Sequence, residues 1–314
     1  MSFLLKSIQE EIPCMLLQVV ESRGSSPGRG GFCMGVNLNG EMAGSIGGGM
    51  MEHKLVETAK DFLKKTRKKT LILPQVHSKD AAQHQSGMIC SGEQTVLLYQ
   101  LQPADMIAVE ALITSEKTHQ PQSFAIRPQG IFLTEETTAI ITWQQQDEKN
   151  WEFRGNAGNK PSLHIVGGGH CSLALSQLMK LLDFRICLYE NRPYINTLRD
   201  NFFADEIRIL GSYSELGNHL GNCSGDFVII MTFGYRTDDQ AIRAIRDQTF
   251  RWLGVLGSKS KIAKMMEDYR KEGFSESWLK DISAPVGIAI KSQTPEEIAV
   301  SIAAEIIALR NRDL

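Results

Sequence analysis

The amino-acid sequence predicts an α/β protein, with an N-terminal α+β domain followed by a Rossmann-like domain built on a parallel sheet. Two observations predict the second domain. The stretch Leu163–Leu175 joins a short apolar run to three glycines and then to a helical pattern. A second apolar run, Phe184–Tyr189, ends in Glu190, about 20 residues beyond the glycines. Strand, glycine turn, helix, strand and acid follow one another in this order in dinucleotide-binding units.

The length of 314 residues and the hydrophobic content of 42% suit two domains with separate cores. The segment Arg154–Pro161 combines glycine, asparagine and proline just before the first Rossmann strand and predicts a linker. We therefore expect an N-terminal domain over residues 1–155 and a Rossmann-like domain over residues 161–314.

The first domain is predicted to mix strands with one long helix. Asn39-Gly40 is a two-residue hairpin pattern between two strands, and the apolar positions that begin at Met51 recur at helical spacing. The predicted elements are strands at Cys14–Val20, Phe32–Leu38, Glu41–Ile46 and Gln94–Tyr99, a helix at Met50–Lys65, and short strands between Ser123 and Thr142.

In the second domain, apolar runs alternate with helical patterns, which predicts a parallel sheet. The predicted strands are Leu163–Val166, Arg185–Tyr189, Ile207–Leu210, Phe227–Met231 and Trp252–Leu256. Capping boxes are expected at Thr237–Gln240 and at Thr294–Glu297, each before a helix.

The charge, the apolar runs and the cysteine spacing of the sequence exclude some classes of binding partner and cellular location. The net charge is −2 and no basic stripe is present, so we expect no nucleic-acid partner. No apolar run reaches the ~18 residues of a membrane span, and acidic residues interrupt the N-terminus where a signal peptide would be apolar. The six cysteines lack C-x-x-C spacing, which favours free thiols in a reducing compartment. We expect a cytoplasmic protein without a membrane partner.

The turn formed by Gly167, Gly168 and Gly169 before His170 is the first candidate site. Bare glycine amides at a helix N-terminus favour a phosphate, and Glu190 would lie where a ribose hydroxyl binds. Ser172 replaces the small third glycine of the strict pattern. A plain α/β sheet with a glycine turn is the alternative.

A second glycine run, Gly47, Gly48 and Gly49, joins a strand to a helix and is also a candidate anion site. Glu52 lies in the first turn of that helix. It would either cap free N–H groups or bind an imino or amino group of a heterocycle.

Two further loops carry reactive or polar side chains. Cys90, within Gly87–Gly92, would bind a soft metal or carry sulfur as a thiolate, or pack as a small buried residue. Ser258, within Gly254–Lys261, lies at the carboxyl edge of the predicted sheet beside Lys259 and Lys261. It would help to bind a phosphate or serve as a helix N-cap.

Taken together and in this order, these loops resemble the XdhC/CoxI family, the accessory proteins of xanthine dehydrogenase and related molybdenum hydroxylases. The resemblance covers nearly the whole chain. Its motifs are Gly24–Pro27, Gly44–Gly49 with Glu52, Gly87–Gly92, Val166–His170, Gly254–Ser258, Pro285–Gly287 and Thr294–Ile307.

The resemblance implies that the protein is a chaperone and not the hydroxylase itself, and that it serves purine catabolism. Such a protein holds the molybdenum cofactor (molybdopterin in mono- or dinucleotide form), assists its sulfuration with a cysteine desulfurase, and passes it to the apo-hydroxylase. It also implies a homodimer. The glycine turns with His170, Glu190 and Ser258 would hold the cofactor, Glu52 its pterin, and Cys90 its metal or sulfur. No residue is assigned a catalytic role.

The sequence departs from the family at several positions. Met50 stands where many members have cysteine, and Thr232–Tyr235 lacks a histidine that the family pattern carries. These departures weaken any catalytic role. The alternative function is an NAD(P)-dependent oxidoreductase that uses the Rossmann half, with Glu190 favouring NAD and His170 as the best lone candidate for chemistry.

Overall fold

A computed structural model describes residues 1–65, 70–76, 92–135, 141–221 and 223–311. The chain divides into two compact units, Met1–Asn159 and Lys160–Leu314. In the described part of the chain, no helix has both the length and the apolar composition needed to cross a membrane.

Among its described residues, the first unit has two antiparallel sheets and three α-helices. The strands are β1 (Cys14–Gly24), β2 (Cys33–Asn37), β3 (Met42–Gly44), β4 (Thr70–Val76), β5 (Gly92–Gln100), β6 (Gln122–Arg127), β7 (Gly130–Thr134), β8 (Thr142–Gln145) and β9 (Trp151–Ala157). The helices are α1 (Ser2–Gln9), α2 (Gly49–Lys65) and α3 (Met106–Thr118). The strand orders are β3-β2-β1-β5-β4 and β7-β6-β9-β8.

Alternate side chains of β1 point to opposite faces of the larger sheet, and each face is covered by helices. Leu17 belongs to the apolar cluster that includes Leu55 of α2. Its neighbour Leu16 belongs to the other cluster, with Leu4 of α1 and Leu112 of α3. This alternation fixes the strand register, because a shift by one residue would exchange the two faces.

The second unit is a six-stranded parallel sheet with helices between the strands. The strands are β10 (Ser162–Val166), β11 (Arg185–Glu190), β12 (Glu206–Ile209), β13 (Phe227–Ile230), β14 (Trp252–Val255) and β15 (Ile282–Ser283). The helices are α4 (His170–Leu181), α5 (Asn196–Arg199), α6 (Leu216–Leu220), α7 (Tyr235–Ala244), α8 (Lys259–Lys271), α9 (Glu276–Asp281) and α10 (Pro295–Arg310).

The strand order β12-β11-β10-β13-β14-β15 is the 3-2-1-4-5-6 order of the dinucleotide-binding fold. The order reverses between β10 and β13, and ligands of such folds bind beyond the carboxyl ends of the strands at that reversal. Both faces are covered: α4 and α10 pack with Ile229, while α7 and α8 pack with Val228.

The structure confirms the predicted fold class, and each of the five strands predicted in the second unit lies within one residue of its observed bounds. The Thr294–Glu297 capping box is present, with the Thr294 hydroxyl accepting the Glu297 amide at 3.2 Å. The Asn39-Gly40 hairpin is also present, with Gly40 at a φ of 84°.

Two local predictions were wrong. Helix α7 begins at Tyr235, so Thr237 lies inside its first turn and donates a hydrogen bond to the Gly234 carbonyl at 2.9 Å instead of capping the helix. Strand β9 continues to Ala157, because its side chains alternate between buried and half-buried positions, and it takes the first half of the predicted linker into the sheet.

Candidate functional site

The turn after β10 can be formed only by glycine at its first position. Gly167 has a φ of +110°, and a Cβ there would lie 2.5 Å from the carbonyl oxygen of Met231. The turn is therefore pressed against the end of β13, at the reversal of strand order. Gly168 is buried behind it, where a Cβ would meet Leu198 at 3.0 Å.

The last glycine of the turn is open to its surroundings. Gly169 is the N-cap residue of α4, with an ordinary φ of −75°, and a Cβ there would meet no atom within 4 Å. No side chain of the described residues caps the helix, and its first residue, His170, is exposed. The amides of the first helical turn have no intrahelical partner, so this end presents bare donors and the positive end of the helix dipole.

Glu190, the predicted ribose ligand, is fully buried, and its two oxygens are already engaged. Oε2 accepts the Gly168 amide at 2.7 Å and Arg192 Nη2 at 2.7 Å. Oε1 accepts the amides of Asn191 and Arg192, Arg192 Nε at 2.9 Å and the Tyr213 hydroxyl at 3.0 Å. Burial alone would raise the pKa of Glu190, but the hydrogen bonds from Arg192, Gly168 and Tyr213 outweigh it and hold the pKa below its usual range.

Arg192 connects the ends of two strands. Its guanidinium is paired with Glu190 at the end of β11, and it lies 4.7 Å from the ring centroid of Phe233, beyond the end of β13. Because β10 lies between β11 and β13, this stacked pair spans the strand end that carries the glycine turn. Phe233 is 66% exposed, so its ring is also available to a planar ligand.

Ser258 is the N-cap of α8, and its hydroxyl accepts the Lys261 amide at 3.3 Å. The side chain is exposed at the carboxyl edge of the sheet. The Lys261 ammonium is bonded to buried Asp238 and to the Leu256 carbonyl at 3.0 Å. Lys261 therefore ties α7 to the end of β14, and of the two predicted lysines only Lys259 is exposed.

The glycine run of the first unit adopts left-handed backbone angles at Gly47, Gly48 and Gly49, with φ of 123°, 75° and 70°. A Cβ on Gly47 would lie 2.6 Å from the Gly28 amide, so this loop packs directly against the Gly24–Gly31 segment. Gly48 faces open space, as Gly169 does in the second unit.

Glu52 holds this loop in place through hydrogen bonds to three of its residues. Its Oε2 accepts the amides of Ile46 at 2.9 Å and Gly48 at 3.0 Å, and the Ser45 hydroxyl at 2.7 Å. Partial burial opposes ionisation, but these hydrogen bonds outweigh it and lower the pKa of Glu52. The capping role considered for Glu52 is thus present at Oε2, while Oε1 accepts no hydrogen bond from any described residue.

Gln94, which the sequence did not single out, joins the two loops of the first unit. Its side chain is buried, accepts the Gly28 amide at 3.1 Å and donates to the Ile46 carbonyl at 3.4 Å. The available indication was its alternation with Val96 and Leu98, which puts the Gln94 amide on a buried face of β5.

Cys90 lies outside the described residues. Gly92, which follows it closely, packs against Ser25, since a Cβ there would lie 2.5 Å from the Ser25 carbonyl carbon. Among the described cysteines, burial raises the pKa of Cys14, Cys187 and Cys223 to about 11. These thiols are protonated at neutral pH and are poor sulfur carriers. Met50, at the position where the family often has cysteine, is exposed.

Each of the two units is similar to a known family of protein domains. A family model described as the XdhC and CoxI family matches residues 7–73, in the first unit, and the model described as the XdhC Rossmann domain matches residues 163–306, in the second. This chain belongs to the XdhC/CoxI family.

The relatives of this XdhC/CoxI-family chain have low sequence identity, but they match it over nearly its whole length. It is 26% identical to an uncharacterized Escherichia coli protein, YqeB, over 96% of its own length, but it spans only 44% of that relative. It is 22% identical to a Bacillus subtilis protein named as a probable subunit of xanthine dehydrogenase, over 97% of this chain and 96% of that one. A solved Bacillus halodurans structure described as a xanthine dehydrogenase has the same fold, with a TM-score of 0.76 at 21% identity over 99% and 96% of the two chains.

Proposed function

We propose that this chain is a maturation factor that holds the molybdenum cofactor and delivers it to a xanthine dehydrogenase or a related molybdenum hydroxylase. Membership of the XdhC/CoxI family supports the proposal, as does the B. subtilis relative, whose name refers to xanthine dehydrogenase and whose length this chain matches. The apo-hydroxylase is accordingly the proposed partner.

The observation that carries the proposal is the open, uncapped turn at Gly169. Its bare amides, together with those of His170 and the exposed Ser258 hydroxyl at the same sheet edge, suit an oxyanion such as a phosphate. In the first unit, Gly48 faces open space while its amide donates to Glu52. The Glu52 Oε1, which accepts no hydrogen bond from the described residues, suits an N–H group of a heterocycle. When bound, the cofactor would supply a phosphate and a pterin whose dithiolene carries the metal.

Sulfuration would require a sulfur donor, for which we propose a cysteine desulfurase. The thiols of Cys14, Cys187 and Cys223 are ill suited to carry sulfur, because burial keeps them protonated. We propose that Cys90, in the loop Gly87–Gly92 that resembles a family motif, makes the metal or sulfur contact. We also propose that the protein acts as a homodimer in the cytoplasm.

The test uses Gly169→Ala, which adds one methyl group in front of the amides without straining the backbone. Wild type and variant are produced in a host that makes the cofactor, purified without oxygen, and analysed for bound molybdopterin by mass spectrometry. Loss of about one charge-assisted hydrogen bond, worth about 1.5–3 kcal/mol, predicts at least roughly tenfold lower retention by the variant.

Gly225→Ala is the matched control, because Gly225 is also open but precedes β13 at the opposite edge of the sheet. It should retain cofactor like the wild type. Equal retention by Gly169→Ala would exclude this turn as the phosphate site, and a wild-type protein without any cofactor would refute the proposal as a whole.

An NAD(P)-dependent oxidoreductase is the second candidate function, because the strand order is that of dinucleotide-binding folds. The engagement of Glu190 by Arg192 and Gly168 argues against a ribose contact at that carboxylate. Arg192 would instead favour the 2′-phosphate of NADP. Fluorescence titration with NADH and NADPH separates the functions: micromolar binding with turnover of a substrate would favour the oxidoreductase.

A further inference from the structure

A second group of potential ligands lies in the parallel-sheet unit, at the edge opposite the glycine turn. His164 occupies the middle of β10, and Cys223 and Asp226 lie in the segment between α6 and β13. Asp226 directly precedes β13, so the group lies toward the amino ends of the strands, whereas the glycine turn follows a carboxyl end. The proposed cofactor function leaves these side chains without a role.

The three side chains converge on one point. Imidazole Nε2 lies 3.2 Å from Asp226 Oδ2, and one ligand atom from each of the three residues lies within 4.8 Å of the other two. Bonds of about 2.0–2.3 Å to a tetrahedral ion place neighbouring ligand atoms about 3.3–3.8 Å apart. The observed group matches that spacing after small side-chain adjustments.

Tyr189 fixes the orientation of the His164 ring, as a neighbouring hydrogen-bonding group usually does for a metal-bound histidine. Its Nδ1 lies 3.0 Å from the Tyr189 hydroxyl, and the two rings are stacked with centroids 5.8 Å apart. With the Nδ1 proton donated to the Tyr189 oxygen, Nε2 directs its lone pair toward Asp226. A second hydrogen-bonding partner that fixes the ring and its tautomer is the usual support of a metal-bound histidine.

The Nε2 lone pair and the Asp226 carboxylate oxygen then face each other, as two ligand atoms of one ion would. An ion bound between them would recruit the sulfur of Cys223 as a third ligand, whereas without an ion the Cys223 thiol donates to the Leu220 carbonyl. A coordinating thiol is deprotonated by the ion itself.

We propose that His164, Cys223 and Asp226 form a site for a divalent d-block cation of the zinc class, with the fourth coordination position open to solvent. Nitrogen, sulfur and carboxylate oxygen form the ligand set that zinc prefers. Asp226 has 27% of its side chain exposed, which gives the ion a path of entry. The ion would fix the loop before β13 to the central strand β10.

Cobalt(II) is the probe, because a thiolate ligand gives it a charge-transfer band and a tetrahedral site gives it strong visible bands. The full-length protein is treated with a chelator, dialysed and titrated with cobalt(II), with zinc(II) added last to displace it. We expect one equivalent per chain with a thiolate band, which is lost in Cys223→Ser and kept in Cys171→Ser. Cys171 is a half-buried thiol of α4 and provides the matched control.

Two further variants keep the test decisive if Cys223→Ser folds poorly. Tyr189→Phe should weaken cobalt binding by about 10–100-fold while leaving the thiolate band in place at saturation. Asp226→Asn should weaken binding with little change in the circular dichroism spectrum. Absence of the band in the wild type, its persistence in Cys223→Ser, or unchanged affinity in both further variants would overturn the proposal.

Discussion

The Glu190 carboxylate is shielded from solvent, and both of its oxygens accept hydrogen bonds from the protein. The sequence correctly indicated an acid at the end of the second Rossmann strand, because an apolar run there ends in glutamate. It could not indicate that Tyr213, on a separate element, and Arg192 would engage this acid. At the scale of the residue, the buried Glu190 side chain joins the glycine turn to the end of β11 through its hydrogen bond from the Gly168 amide.

Glu190→Gln should destabilise the second unit by about 2–4 kcal/mol. The substitution removes the charge from a buried ion pair and turns an amide N–H₂ group toward hydrogen-bond donors. We place the loss below that of a fully enclosed pair, because solvent reaches the Arg192 guanidinium. The midpoint of urea unfolding, with its slope, measures the change.

Glu206→Gln is the control for this measurement. Glu206 begins the edge strand β12 and pairs with Arg185 at 3.2 Å and with Arg208, all at partly exposed positions. Such pairs contribute about 0–1 kcal/mol, so its loss should be small. Equal effects of the two substitutions would contradict the role assigned to Glu190.

The lowered pKa of Glu190 makes its contribution dependent on pH. A carboxyl whose pKa falls on folding stabilises the folded state above its ordinary value of about 4.3, and this stabilisation is lost as the pH falls from there through the folded-state pKa. The stability difference between wild type and Glu190→Gln should therefore be constant near neutrality and shrink in acid. Urea unfolding of both proteins over a pH series tests this, and a difference that persists in acid would refute it.

At the scale of the element, the parallel strands were predictable because both faces of the sheet are buried. Such strands form continuous apolar runs, as Phe227–Ile230 does. Elements without a distinct pattern were not foreseen, among them α1, α3, β4 and the two-residue strand β15. In α3, β-branched residues are frequent and the apolar face is poorly separated, so helical periodicity is weak.

The glycine turn offers a matched pair of substitutions at the same scale. Gly167→Ala should destabilise the protein by roughly 1–3 kcal/mol or more, since it combines a left-handed backbone angle with a Cβ 2.5 Å from the Met231 carbonyl oxygen. Gly169→Ala should change stability by less than about 0.5 kcal/mol, because its backbone is unstrained and its surroundings are open. Thermal unfolding of the two variants measures the contrast, and similar losses in both would show that the turn is not held as described.

The candidate site itself was only partly predictable. The two glycine runs and Ser258 could be recognised from neighbouring residues alone. In the structure, each of them lies where a strand ends and the next helix begins. The group of His164, Cys223 and Asp226 was not foreseen, because His164 is distant in sequence from the other two residues. Contacts of this kind arise only when the sheet brings neighbouring strands together.

At the scale of the whole molecule, each compact unit contains its own pair of apolar clusters. We therefore expect residues 160–314, expressed alone, to fold and to unfold in urea in a single cooperative transition. Circular dichroism and intrinsic fluorescence should report the same midpoint. A broad transition, or different midpoints by the two probes, would contradict independent folding.

Helix α10 completes the apolar cluster that α4 begins, with Ile302 and Ile306 covering the side of the sheet on which Leu175 and Met179 lie. During translation, at about 5–20 residues per second, the ribosome makes α4 on the order of ten seconds before it makes α10. Over that interval the nascent second unit displays an uncovered apolar surface to chaperones and to other nascent chains. A frameshift or premature stop codon before Pro295 would make that exposure permanent, and the product would be a substrate for aggregation and proteolysis rather than a shortened working protein.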